Sequence, residues 1–431
     1  MIDYFRGIKQ DYFKIYMFIY VFFLPWNFFS GFFGNMTILL FIWWLIIGKK
    51  KGYFLKVKEI FTNLPLLILF LFILYACLSL LWSDNIKMGI KELEYYKYYP
   101  MIVMVFFTVF NKEDVKMAFY IITFSLGTYA IFSLSIYLEF FTIKMKNSIS
   151  NKYDPRGILP YAVVTFYMAF NIFLSLYLFM KENNKAIKYL LLIIATMSFF
   201  TMLVNNGRMG QISFLGTFII VMIYYKKYLL NYKKILISSV LVIALGISFI
   251  YSNNKIDRYL KGINELVYSY QHDEYIGSWG PRLFFYKGAI ELIRDNLVFG
   301  KGIGDALIEF KNYQINNKEK LKHPIVKQFH SQHFELIVKF GIFGYVLFLM
   351  SIIILLIKLY KIEKDYMYIG LIFFSMFLMA SIGDGIMRMS NFDNFFILVF
   401  VLLSITIKEN SKYKIGDKKI IWKSQSQEQD M

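Results

Sequence analysis

The sequence predicts an all-α integral membrane protein of about 12 transmembrane helices, with one large, partly helical loop between spans nine and ten. Three observations predict it. Hydrophobic residues make up 58% of the 431, and the mean hydropathy of +0.50 lies far outside the range of soluble domains. The apolar residues come in blocks approaching the ~20 residues that cross a bilayer as a helix. Lysines gather in short clusters between those blocks. A span in lipid must satisfy its own backbone hydrogen bonds. A block such as 64–82, apolar on every face, is therefore a helix and not a barrel strand, which would alternate over about ten residues.

In order, the expected spans are 14–33, 35–48, 64–82, 99–110, 117–141, 158–180, 187–205, 209–225, 234–252, 335–360, 366–384 and 392–408. Spans two and four are short, which fits tilted, re-entrant or flank-extended segments. The first apolar run has no small-residue cleavage site after it and reads as a retained span. Lysine clusters follow spans two (Lys49, Lys50, Lys51), eight (Lys226, Lys227), ten (Lys358, Lys361) and twelve (Lys412, Lys414). All are even-numbered exits, which assigns that side, and both termini, to the cytoplasm. The basic stretch 144–156 departs from this pattern, falling on the outer side. The chain then divides into spans one to nine (1–251), a periplasmic loop (252–334), spans ten to twelve (335–408) and a disordered cytoplasmic tail (409–431).

The formal charge of +19 does not point to nucleic acid, because its lysines follow membrane topology. The single cysteine, Cys77, sits within a span and reads as packing. Function is expected in the outer loop, since long loops in loop-poor proteins are usually functional. All four histidines, His272, His323, His330 and His333, fall there. No Walker loop is present, and Gly300-Lys-Gly-Ile-Gly304 follows a helical pattern instead of a strand, against a dinucleotide fingerprint. Without an Asp-x-Asp pair or an available cysteine, neither metal-assisted sugar transfer nor a zinc site is favoured. The tyrosines of Tyr95-Tyr-Lys-Tyr-Tyr99 read first as an interfacial belt and second as sugar-stacking groups.

Several stretches carry a family resemblance. Pro281-Arg-Leu-Phe-Phe-Tyr-Lys-Gly leads a helix that ends in the glycine-rich turn 300–304. His330-Ser-Gln-His-Phe-Glu leads into a span containing Gly341 and Gly344. Asn206-Gly-Arg-Met-Gly210 forms a short turn between two spans, and Leu80-Leu-Trp-Ser-Asp84 ends span three. In order and spacing these resemble the O-antigen ligase and polymerase superfamily. The family usually has asparagine where Ser331 stands and often an aromatic where His333 stands.

The resemblance implies a metal-independent, inverting transfer without a cofactor. A glycan would pass from undecaprenyl diphosphate to a hydroxyl of the lipid A-core, on the periplasmic face of a bacterial inner membrane. Arginine suits the grip on a diphosphate, being always charged and bidentate. Arg208 and Arg282 lead on motif match, followed by Arg156 and Arg388. Histidine suits proton removal from the acceptor. His330 takes that role, with His333 and Ser331 as candidate acceptor-binding groups. A polymerase extending the glycan on the same carrier is the near alternative, and a relative acting on protein hydroxyls a third. A flippase or transporter is a reading from another class, but such proteins place ionisable residues mid-membrane.

Overall fold

The computed structural model describes residues 11–26, 28, 31–145, 148–224, 255–389 and 392–425, and is 77% helical. The expected span nine, 234–252, lies outside the described residues. In chain order the first helices are α1 (Tyr12–Phe23), α2 (Phe32–Gly48), α3 (Val57–Thr62), α4 (Leu64–Leu78), α5 (Ile86–Leu93) and α6 (Tyr98–Val109). Next come α7 (Lys112–Tyr137), α8 (Tyr161–Lys181), α9 (Lys185–Val204), α10 (Arg208–Tyr224) and α11 (Lys255–His272). The last are α12 (Gly280–Asp295), α13 (Ala306–Asn316), α14 (Gln332–Ile362), α15 (Lys364–Gly383) and α16 (Phe392–Gln425). A two-stranded hairpin, β1 (Ile143–Met145) with β2 (Ser148–Ser150), follows α7.

Six of the described helices are long and apolar enough to cross a membrane: α4 with the turn that extends it to Trp82, α7, α8, α9, α14 and α15. These are the stretches expected near 64–82, 117–141, 158–180, 187–205, 335–360 and 366–384. The short stretch at 35–48 is α2, which turns through 106° into Tyr53–Thr62; taken as one broken span, that pair makes a seventh. The turn is reached through Gly52, whose φ of +70° suits glycine. α1 and α10 are apolar but shorter.

Helix starts follow local chemistry. Asn63 accepts from the Leu66 amide at the head of α4, and Asn111 and Asp114 form a reciprocal capping box on α7. The two ends of the bundle carry different groups. At one end, Lys14 pairs with Asp114, Lys112 with Glu363, Lys181 with Asp365 and Lys408 with Glu59. The opposite end holds Tyr161 at the start of α8, Arg208 at the start of α10 and Asp384 at the end of α15.

On that second end sits a separate small core: Tyr275, Phe284, Phe285, Phe310, Leu321 and Phe329, joined by Val338 of α14. At ~1.5–3 kcal/mol for each large apolar side chain buried, it stabilises α12 and α13 without help from lipid. The glycine turn 300–304 stitches this cap to the spans. α14 is broken at Gly341 (φ 64°, ψ −174°). The amides of Ile342 and Phe343 bond instead to the carbonyls of Leu297 and Val298 (2.8 and 3.2 Å), while Lys301 and Gly302 donate to Val338 and Lys339 (2.8 and 3.1 Å). Non-helical backbone near the membrane is tolerated where protein satisfies it in this way. Gly302 and Gly304 lie against Ser83 and Asn85, so Leu80-Leu-Trp-Ser-Asp84 is the seat of the turn. Asp305 completes the seat by accepting from the amides of Asp84 and Asn85 (2.7 and 2.9 Å).

Candidate functional site

The α9–α10 turn is held tightly. A Cβ at Gly207 or Gly210 would run into Thr165 of α8. The Gln211 amide nitrogen donates to the carbonyls of Met202 and Asn205 (2.9 and 3.2 Å), and Asn206 donates to the Tyr153 carbonyl (2.8 Å). This fixes the direction of Arg208. Its guanidinium lies 5.2 Å from the Trp279 ring centre and donates to Ser278 Oγ at 2.9 Å. Ser278 and Trp279 are held in turn by Glu265 of α11, whose Oε2 accepts from both amides (2.8 and 3.0 Å).

Arg282 projects from the first turn of α12, two residues after Gly280. It reaches Asp384 at the end of α15, with Nη2 3.1 Å from Oδ1. The same Oδ1 lies 3.8 Å from Nδ1 of His330, beyond hydrogen-bond distance but close enough for charge to act. Asp384 is nearly buried, at 4% exposure. His330 is not part of the following helix: α14 starts at Gln332, capped by Ser331. Its φ of +50° is in the left-handed region, a conformation of order 1 kcal/mol or more above the ordinary one for a non-glycine residue. The ring stacks on Phe285 (5.5 Å, 14°), and the Gln328 amide nitrogen is 3.2 Å from Nε2. The His330 carbonyl accepts from Tyr286 (3.4 Å), whose hydroxyl also donates to the Ile382 carbonyl (2.5 Å). Burial pushes that hydroxyl up to about 12, so it remains a neutral donor.

Arg208, Arg282, His330 and Asp384 thus line one cavity of about 220 Å³, together with Tyr161, Asn206, Trp279, Phe285 and His323. Two guanidinium groups against one carboxylate make its wall cationic. Such a wall can hold a phosphate-bearing guest, and the aromatic rings offer faces to a sugar. An imidazole beside a carboxylate can take a proton and have the resulting charge stabilised. Among the described residues no three histidine, cysteine or acidic side chains converge to hold a metal.

The other expected site residues lie elsewhere. Arg156 pairs with Asp154 (3.2 Å) and lies 5.9 Å from the Tyr161 ring centre, one side chain removed from the cavity. Arg388 faces away, in contact with Glu92 and Glu335 (2.5 and 2.8 Å). Ser331 is buried as the helix cap and donates to the Ser381 carbonyl (3.1 Å). Both ring nitrogens of His333 are engaged, with the Leu378 carbonyl and the Tyr345 hydroxyl (2.9 Å each). Of the expected belt tyrosines, Tyr96 and Tyr99 are buried and Tyr95 and Tyr98 half-buried. Sequence reasoning missed Asp384, whose signal was a lone carboxylate in Ser-Ile-Gly-Asp-Gly after an apolar run.

A bundle of apolar helices with a cationic, histidine-bearing cavity at one end defines a polytopic membrane protein. The model of one protein family, described as O-Antigen ligase (Wzy_C), matches residues 190–349, a match consistent with the O-antigen ligase superfamily. The matched segment carries Arg208, Arg282 and His330 and ends before Asp384 and Arg388. That match and the apolar helices together suggest a membrane protein with an O-antigen ligase-type function. No curated protein matches the chain.

Proposed function

We propose that the protein is an O-antigen ligase that moves a glycan from undecaprenyl diphosphate to a lipid A-core hydroxyl at the periplasmic face of the inner membrane. The observation that carries this reading is the convergence of Arg208, Arg282, His330 and Asp384 on one cavity at the membrane edge. The lysine asymmetry supports a periplasmic location for that end of the bundle. The acceptor oxygen attacks the anomeric carbon and forms the new glycosidic bond. The bond from that carbon to the phosphate oxygen breaks, and undecaprenyl diphosphate leaves with the electron pair. His330 takes the hydroxyl proton, and a single displacement inverts the anomeric centre. Arg208 and Arg282 stabilise the charge that grows on the diphosphate, the electrostatic task a metal performs elsewhere.

Asp384 adds a coupling between the two halves of the reaction. It is shared by Arg282 and His330 at 3.1 and 3.8 Å. When Arg282 turns toward a diphosphate, the carboxylate is released to stabilise the protonated imidazole. His323 lies on the cavity wall and Arg156, paired with Asp154, stands behind Tyr161.

The same geometry serves a polymerase, which differs only in its acceptor. The lipid-linked glycan pool of a strain lacking the protein separates the readings. Complete chains left on the carrier, unattached to core, are expected. Single repeat units on the carrier would instead make the protein a polymerase. Absence of glycan outside the membrane would make it a flippase and remove the enzymatic reading.

A further inference from the structure

Outside the cavity, the densest buried charge among the described residues lies where α5, α14 and the turn Ile386–Arg388 meet. Lys339 Nζ is 2.6 Å from Glu335 Oε1 and 2.8 Å from Glu92 Oε2. Arg388 reaches the same two carboxylates, with Nη1 2.8 Å from Glu335 Oε1 and 2.5 Å from Glu92 Oε2, and Nη2 3.1 Å from Glu92 Oε1. Both carboxylate side chains are 2% exposed and that of Lys339 4%. The Tyr95 ring covers the guanidinium, 4.7 Å away. Two cations cancel two anions, so the cluster offers a substrate no net charge. The space beside it is about 10 Å³, room for one water at most. It is built to tie elements together, not to bind a guest.

What it ties is the pair His330 and Asp384. Glu335 stands on the first turn of α14, just after the His330-Ser331 start; Arg388 stands four residues after Asp384. Between these anchors run short links. The Gln332 amide donates to the Asp384 carbonyl (3.3 Å), and Gln332 Oε1 accepts from the Met387 amide (3.3 Å). Ser331 Oγ reaches the Ser381 carbonyl (3.1 Å). Glu335 Oε2, buried with no hydrogen-bond partner among the described residues, lies toward Gly385, where a Cβ would stand 3.5 Å from it. Moving Arg388 relative to α14 would therefore shift Gly385 and Asp384 relative to His330.

We propose that the buried cluster of Glu92, Glu335, Lys339 and Arg388 is a positioning device that fixes Asp384 against His330. The catalytic consequence rests on the proposed role of His330; the geometric one does not. Arg388→Lys keeps the charge but cannot bridge two carboxylates in the same way. Lys339→Met with Glu335→Gln removes a cation and an anion together and leaves the Arg388–Glu92 pair intact, so this variant stays folded if the single one does not.

Each variant is tested in three ways: glycan transfer, affinity for undecaprenyl diphosphate, and amide hydrogen exchange at Gln332 and Met387. The expected result is a kcat about tenfold to a hundredfold lower, as for a misplaced base. The KM for lipid-linked donor and the affinity for undecaprenyl diphosphate stay within about twofold, and both amides exchange faster. An unchanged kcat, or unchanged exchange at both amides, overturns the proposal. So does a loss of undecaprenyl diphosphate affinity with kcat retained, which would return Arg388 to the diphosphate site. Should the unaltered protein transfer no glycan, the proposed function fails, while the exchange measurement still decides whether the cluster sets the geometry.

Discussion

His330 and Asp384 face each other across 3.8 Å, from Nδ1 to Oδ1, at the mouths of two different helices. The gap exceeds a hydrogen bond, and Arg282 occupies the same carboxylate oxygen at 3.1 Å. The carboxylate is thus poised between an arginine and a histidine, and which it serves depends on what else the arginine can grip.

Asp384→Asn tests that sharing. The amide keeps the shape but supplies no charge to a protonated imidazole, so kcat should fall about a hundredfold. Affinity for undecaprenyl diphosphate should hold or tighten, because Arg282 loses its competitor. Steady-state kinetics with a separate binding measurement check both halves; weaker binding with a normal rate would contradict the shared-carboxylate account.

Arg208→Ala and Arg282→Ala should each abolish transfer with the protein still inserted. Each removes charge-assisted hydrogen bonds worth about 1.5–3 kcal/mol, so undecaprenyl diphosphate should bind about tenfold to a hundredfold more weakly. A chelator should leave the rate of the unaltered protein unchanged. Full activity in either variant takes that arginine out of the site.

The left-handed backbone of His330 allows its chemistry to be separated from its shape. His330→Ala should be inactive at every pH. His330→Gly, which accepts φ near +50° without strain, should be equally inactive while melting within about 1 kcal/mol of the parent. Thermal melts beside transfer assays decide this, and turnover in either variant refutes the role of base.

How much of this was legible in the sequence differs by residue. Arg208, Arg282 and His330 each sit in a local pattern that survives without coordinates: a glycine-flanked turn, a proline-led helix and a histidine leading into a span. Asp384 has no such pattern, since one carboxylate after an apolar run fits a helix end equally well. Arg388 shows the reverse failure. Its charge is visible, but the carboxylates that absorb it, Glu92 and Glu335, are 296 and 53 residues away in sequence. Among the described residues six helices, or seven with the bent pair, are long and apolar enough to span. Window hydropathy registers apolar composition, whereas spanning needs unbroken length, and α2 is cut short by the bend through Gly52.

The glycine turn makes a structural prediction. Gly300 (φ +74°) abuts the backbone of Lys339, and Gly341 (φ +64°) abuts that of Val298. Alanine at either would combine a strained φ with a backbone clash and should destabilise by about 1–3 kcal/mol. A lowered melting midpoint in detergent is expected, and an unchanged one would mean that the turn is not needed to hold the break in α14.

Asp273 predicts an acid-resistant strap. Hydrogen bonds from Lys320, Tyr275 and Lys287 hold its carboxyl well below the usual carboxylate range. A lowered folded value means that the stabilisation is present above the unfolded value, near ~4, and is lost only as pH falls through the folded one. The carboxylate is about half exposed, so solvent screens the effect. The amides of Tyr275 and Lys322, which pair across this strap, should stay protected from exchange at about pH 4. Asp273→Asn should expose them at neutral pH, and equal protection in that variant would sink the idea.

The most direct test of the whole account is reconstitution of the purified protein in liposomes with undecaprenyl-diphosphate-linked glycan and lipid A-core. The expected result is glycan on the core, one undecaprenyl diphosphate released for each chain moved, and neither product from the His330→Ala protein. Glycan that stays on its carrier with the unaltered protein, or transfer that persists without the imidazole, would contradict it.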